Sequence, residues 1–190
     1  IGANVTTARN GAPRRTCGQS TFAENWKDLN TRIAITHTKA GFGIRGRRMQ
    51  MSEKFLILGA SSFYGSNFAK YVEDRGDIAI RTGRYEFPPD PVAYIVNFCS
   101  KSAVAESWDA PHEWFDANIV QFTAMVKTLA ENKELFKKFV HVSTPESYGH
   151  TEGWVDETYA TWAPSTPYGV SRAAGDMMLM AYHRAHGFPA

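Results

Sequence analysis

Tyr168 and Arg172 stand four residues apart in Pro167-Tyr-Gly-Val-Ser-Arg-Ala-Ala-Gly-Asp176, and on a helix that spacing puts a phenol and a fixed cation on one face. Unit charges about 4 Å apart at an effective dielectric of roughly 20 attract by on the order of 4 kcal/mol. The guanidinium therefore favours an ionised phenol, which is what general acid-base catalysis near neutral pH needs. Solvated helices carry the same spacing without any chemistry, so the pair gains meaning only from its surroundings. Upstream, Ser143-Thr-Pro-Glu146 brings two hydroxyls and a carboxylate directly after the apolar run Phe139-Val-His-Val142.

Those groups need rigid support, and the sequence supplies it. Phe55 to Leu58 is a short apolar run suited to a buried parallel strand; it breaks at Gly59, and apolar residues then recur at helical spacing through Phe68, Ala69, Tyr71 and Val72. A strand, glycine turn and helix in that order present backbone N–H groups and the positive end of a helix dipole to an anion such as a pyrophosphate. Gly59 makes the tight turn and Gly65 permits close packing of helix on strand, while Ser62 holds the middle position, where its Cβ takes room and its hydroxyl can donate a hydrogen bond. The run at 139 ends in polar residues, and ligands of open α/β sheets lie beyond such carboxyl ends.

Taken in order, Gly59-x-x-Ser-x-x-Gly65, Ser143-Thr-Pro-Glu-Ser-Tyr-Gly149 and Tyr168-x-x-x-Arg172 resemble the extended short-chain dehydrogenase/reductase family, and within it the sugar-nucleotide epimerases and dehydratases, above all the 4,6-dehydratases. Asn97-Phe-Cys-Ser-Lys-Ser-Ala-Val-Ala-Glu-Ser-Trp108 and Trp114-Phe-Asp-Ala-Asn118 resemble that family's fourth strand and the helix after it. The resemblance covers about residues 53 to 190. It implies a Rossmann-type parallel sheet flanked by helices, ending before a C-terminal substrate domain. It also implies a nicotinamide dinucleotide held by Gly59, Ser62, Phe63, Tyr64, Gly65, Ser100, Tyr168 and Arg172. Tyr168, Arg172, Thr144 and Glu146 become catalytic candidates, and Ser102, Ser107, Asn118 and Thr144 contacts to a nucleotide sugar. A homodimer is expected on the same ground.

The chain departs from the family pattern at Ser62, at Arg172 in place of the usual lysine, and at Pro145 in place of an Asp. Arginine keeps the charge but replaces a point donor with a planar fork. Pro145 has no acidic proton to give a leaving hydroxyl, so Glu146 is left as the base. Oxidation at C4 of the sugar followed by water loss is the expected chemistry, with 4-epimerisation or decarboxylation as alternatives that share the oxidation. A non-catalytic dinucleotide-binding module is the reading from another class.

Strand 78 to 81 runs into Arg81-Thr-Gly-Arg84 and not into the acidic residue that commonly grips an adenosine ribose. Arg81 or Arg84 either meets a 2′-phosphate or is an exposed strand-end charge, which leaves NAD and NADP both open. The remaining outline is strand 54 to 58, helix 65 to 75, strand 93 to 98, helix 111 to 132, strand 138 to 143 and helix 167 to 185. Phe115, Ile119, Phe122, Val126 and Leu129 form the buried face of the long middle helix. Glu86-Phe-Pro-Pro-Asp-Pro91 reads as a stiff loop, where the family resemblance implies another helix and strand.

Over 190 residues the net charge of +2 hides a division: residues 1–50 carry nine Lys/Arg and two Asp/Glu, and the rest twelve and seventeen. The first fifty lack sustained periodicity and read as a basic, disordered or extraneous extension, with 51–190 as the dinucleotide-binding domain. With 43% hydrophobic residues the chain can bury a core. Cys17 and Cys99 have no paired spacing, which points away from a disulfide framework or metal site and toward a reducing cytoplasm. No membrane or nucleic-acid partner is expected.

Overall fold

The four apolar runs form strands β1 (Lys54–Leu58), β2 (Ile78–Thr82), β3 (Tyr94–Asn97) and β4 (Lys138–His141) of one parallel sheet in the order β2-β1-β3-β4. This computed structural model describes residues 52–85, 87, 90–156, 158 and 162–190. The basic segment 1–50, and Glu86, Pro88 and Pro89 of the proline loop, lie outside the described residues. Leu56 pairs with Ile80 on one side and Ile95 on the other, and Val96 pairs with Val140. Leu56, Ile57 and Leu58 are at most 1% exposed, as strands covered on both faces require.

Helix α1 (Phe63–Asp74) covers one face, where Ala69 and Val72 meet Ile57 and Ala60, with Phe55, Phe68 and Phe98 around them. The other face carries α2 (Pro111–Phe115), a π turn (Asp116–Val120), α3 (Gln121–Glu131) and α4 (Pro167–His186). Phe122 packs against His141 of β4 with ring centroids 4.5 Å apart and the planes tilted by 35°. Phe188 is fully buried against Phe139 after Gly187 ends α4 in the left-handed conformation, its N–H donating to His183 O.

The expected buried face of the middle helix is corrected in its first half. Phe115 is 37% exposed and Ile119 only half-buried, whereas Trp114, Ala117 and Asn118 are buried; from Phe122 onward the expected residues Phe122, Val126 and Leu129 are buried, together with Met125. A π turn adds one residue to the helical count. Everything before it is therefore rotated by about one position, and 114 and 118 replace 115 and 119 on the core side.

From β1 the chain crosses to β2 on one side, while β3 and β4 lie on the other. The strand order thus reverses between β1 and β3, and the crevice of such a sheet opens above the carboxyl ends of those two strands.

Candidate active site

The turn after β1 is shaped by what a side chain would strike. A Cβ on Gly65 would lie 2.3 Å from Gly59 O and 3.0 Å from Ala60 Cα, so only glycine lets α1 seat on the strand end. Gly59 has φ +75°, and a Cβ there would meet Cys99 N and Sγ at 3.1 Å. Ser62 proves to be the N-cap of α1: its Oγ accepts from Gly65 N–H at 3.0 Å. Phe63 and Tyr64, 76% and 71% exposed, occupy the first two helical positions, whose N–H groups no intrahelical carbonyl can reach.

At the opposite end of the crevice, α4 begins on the same plan. Thr166 Oγ1 accepts from Gly169 N–H at 3.0 Å, Pro167 fills the first helical position, and Tyr168 N–H donates to Ser107 Oγ at 3.1 Å. A Cβ on Gly169 would come within 3.0 Å of Glu146 O, so this glycine brings the helix start against the turn after β4. That turn, Pro145–Ser147, is capped by Thr144, whose Oγ1 accepts from Glu146 N–H at 3.3 Å and whose own proton stays available as a donor. Tyr168, Thr144 and Glu146 are all half-buried.

Arg172 is 4% exposed. Its Nη2 donates to Val142 O just past the end of β4, and its Nε has no partner among the described residues. Burial pulls its pKa down from the ordinary arginine value, while the negative charge potential of Tyr168, Asp176 and Tyr85 opposes that. Beside it, Asp176 accepts from Ser143 Oγ, and burial holds its carboxyl above the usual range. Asn97 Nδ2 lies 3.0 Å from His141 Nδ1, an arrangement that makes Nδ1 the acceptor and leaves the proton on Nε2, 3.9 Å from Asp176 Oδ1. Burial first, and the Arg172 charge second, push the His141 pKa down to about 3, so the imidazole is neutral. A cleft of about 370 Å³ opens beside these groups, lined by Ser143, Thr144, Pro145, Tyr148, Trp162 and Asp176. A larger groove of about 520 Å³ follows the outer edge of β4 against the second half of α4, away from Tyr168.

The model of the GDP-mannose 4,6 dehydratase family matches residues 90–190, just over half of the chain. The chain belongs to that family. A dTDP-glucose 4,6-dehydratase of Xanthomonas campestris pv. campestris is 34% identical over 126 residues, covering 61% of this chain and 35% of the relative. A dTDP-glucose 4,6-dehydratase of Salmonella typhimurium is 30% identical over 122 residues, 55% of this chain and 33% of the relative. Among solved structures, a UDP-glucose 4-epimerase of Brucella ovis in complex with NAD superposes with a TM-score of 0.63 at 17% identity, covering 72% of this chain and 50% of the other. The dTDP-glucose 4,6-dehydratase of Streptomyces venezuelae with NAD and TYD bound gives 0.62 at 20%, covering 71% and 53%. The chain spans about a third of the length of the curated relatives it matches, and these structural likenesses establish the Rossmann-type fold.

Within this family framework the expected residues separate into two groups. Gly59, Ser62, Phe63, Tyr64 and Gly65 gather at one end of the crevice, and Thr144, Glu146, Tyr168 and Arg172 come from elements that meet at the other. Ser107 and Asn118, expected as substrate contacts, are 0% and 4% exposed and hydrogen-bonded within the chain. Ser107 Oγ donates to Val104 O and accepts from Tyr168 N–H. Asn118 accepts from Lys101 N–H at 2.7 Å and donates to Lys101 O and Ser171 Oγ, both at 3.0 Å. Ser102 is exposed with its carbonyl taken by Trp114 Nε1, and Ser100 is half-buried beyond β3. Arg81 is engaged by Glu73 through two bonds of 3.2 and 2.8 Å, and Arg84 lies over the Tyr85 ring at 5.9 Å. His141, Asp176 and Tyr85 have no role in the sequence reading, because the partners that engage them, Asn97, Ser143 and Ala117, are distant in sequence.

Proposed function

We propose that this chain is the dinucleotide-binding part of an NAD-dependent nucleotide-sugar 4,6-dehydratase that works by transient oxidation at C4 of the sugar. The observation that carries the reading is the buried Arg172 on α4, one turn from Tyr168, against the β4 end that bears Thr144 and Glu146. Family membership and the dTDP-glucose 4,6-dehydratases among its relatives support the substrate class. The residues present fit a dinucleotide: Gly59 and Gly65, where a Cβ would strike the protein's own backbone, let α1 start close against the end of β1 with Phe63 and Tyr64 exposed, and the Arg172 Nε is a donor without an acceptor among the described residues. The neighbours solved with NAD, and the occupation of Arg81 by Glu73, favour NAD over NADP.

NAD, when bound, takes up the hydride from the sugar carbon and returns it later in the cycle. The charge of Arg172 favours the phenolate of Tyr168, which takes the 4-hydroxyl proton and becomes the neutral phenol, and Thr144 donates to the same sugar oxygen. Glu146 then removes the proton beside the new ketone, which allows a hydroxyl to depart. A homodimer of the complete enzyme accords with the family resemblance.

Pro145 favours a second reading, 4-epimerisation, because a proline cannot protonate a leaving hydroxyl whereas epimerisation has none to protonate. Incubation with a panel of nucleotide sugars separates the two: the dehydratase reading expects a 4-keto-6-deoxy sugar from the unsubstituted protein, and a 4-epimer formed in its place would remove that reading and leave the epimerase. Glu146→Gln should still accumulate reduced nicotinamide absorbance but form no 4-keto-6-deoxy sugar, and formation of that product at the unsubstituted rate would remove Glu146 as the base.

A further inference from the structure

Gly59 N–H donates to Gly83 O at 3.3 Å and Ala60 N–H to Thr82 O at 3.2 Å, so the end of β2 is fastened onto the glycine turn. Two residues on, Tyr85 has φ +59°, a left-handed backbone that a bulky side chain adopts only when its surroundings impose it. Its phenol donates to Ala117 O, in the π turn of the helices that flank the far side of the sheet, at 3.2 Å. The loop that carries it already lies against the end of β3, with the Tyr85 backbone hydrogen-bonded to Cys99 and Gly83 O accepting from Cys99 Sγ at 3.9 Å, so the side chain runs from there to the π turn, beside the point where the strand order reverses. Its neighbours agree. Cys99 lies against Gly59 at one end, and the charges that act on the phenol come from Arg84, Cys99, Arg172 and Asp116. Burial pushes its pKa up to about 12, as expected of a phenol enclosed and used as a donor.

Resting on the cofactor reading above, we propose that Tyr85 is a gate in the dinucleotide crevice: bonded to Ala117 O it fills the space between the glycine turn and Arg172, and NAD enters only when the side chain withdraws. Among the described residues the phenol's hydrogen-bond partner is Ala117 O, and the left-handed backbone at 85 costs free energy that withdrawal of the side chain can relieve. Opening frees Ala117 O to water and uncovers Arg172, whose unpartnered Nε gains access to a ligand acceptor. The apparent affinity for NAD is then lowered by the fraction of molecules that are closed, and anything that removes the phenol restores it.

Calorimetric titration of the chain with NAD, alongside Tyr85→Phe and Tyr85→Ala, tests this. Tyr85→Phe keeps the ring and loses only the bond to Ala117, and should bind NAD tighter by about threefold to tenfold. Tyr85→Ala should bind tighter still and associate faster, since no ring has to move. Thermal melting of the phenylalanine variant confirms that the comparison is made on folded protein. Equal affinity in all three proteins overturns the gate while leaving the cofactor reading intact. Weaker binding by Tyr85→Ala overturns it in favour of Tyr85 as a cofactor contact. Absence of NAD binding in every variant overturns both.

Discussion

The starts of α1 and α4 use one construction for opposite ends. In each, a hydroxyl caps the helix, Ser62 or Thr166, and three residues later a buried glycine, Gly65 or Gly169, carries the N–H that the hydroxyl receives. Each glycine also brings the helix against a backbone carbonyl of the preceding turn, Gly59 O or Glu146 O. The difference lies in the next residues. Phe63 and Tyr64 leave their N–H groups at an exposed helix start, whereas Pro167 has none and Tyr168 has given its own to Ser107. The first helix therefore offers backbone to an anion, and the second offers side chains, Tyr168 and Arg172, held in register by a start that is closed to ligands.

Matched substitutions break this comparison most directly. Gly65→Ala places a methyl 2.3 Å from a carbonyl oxygen that cannot move without the turn, and should cost about 3 kcal/mol or more in thermal melting and abolish NAD binding. Gly169→Ala meets its nearest atom at 3.0 Å and gains helix propensity of about 1 kcal/mol, so its stability should stay within about 1 kcal/mol of the parent. Equal losses would show that the two starts are equally tight and that the contrast drawn from packing is wrong.

The closed start of α4 can be probed through its clamp. Asn118→Ala strips partners from Lys101 N–H, Lys101 O and Ser171 Oγ in a buried setting, and should lose about 2 to 3 kcal/mol in urea unfolding. A loss under 0.5 kcal/mol, on the order of an ordinary surface change, would mean that water replaces the amide and that the π turn does not need it.

A pH measurement sharpens the electrostatic side. His141 is neutral when folded, with a pKa of about 3, and titrates near ~6.5 when unfolded. The unfolded chain thus binds the extra proton first, so stability falls as pH drops below ~6.5, by about 1.4 kcal/mol at pH 5.5, and continues to fall toward the folded value. His141→Gln should flatten this part of the profile. A slope that survives the substitution would assign it to other groups.

The smallest effect is expected at Arg81. Its pair with Glu73 is solvated, with side chains 41% and 47% exposed, and contributes about 0 to 1 kcal/mol. Arg81→Ala should leave NAD affinity unchanged in calorimetry. A drop confined to NADP would show the arginine leaving Glu73 for a 2′-phosphate.

Much of this was legible in the chain alone, for a physical reason. Apolar runs that break at Gly59 or pass into Ser143-Thr-Pro-Glu146, helical periodicity after Gly65, and the four-residue step from Tyr168 to Arg172 are local patterns, and local sterics and burial turn them into strands, turns and helix faces wherever a sheet can form. Element boundaries came within about two residues on that basis. Tertiary contacts decided the rest. The π turn moved the buried face from Phe115 to Trp114 because Asn118 has to reach Lys101, 17 residues back, and Ser171, 53 residues on. Ser107 became a cap because Tyr168 arrives from 61 residues away, and the Tyr85 phenol takes its direction from the carbonyl of Ala117, 32 residues on. Such partners leave no periodic trace in a single sequence; only the folded sheet, which brings the ends of β1, β3 and β4 together, determines which polar groups face a ligand and which are consumed in holding the site.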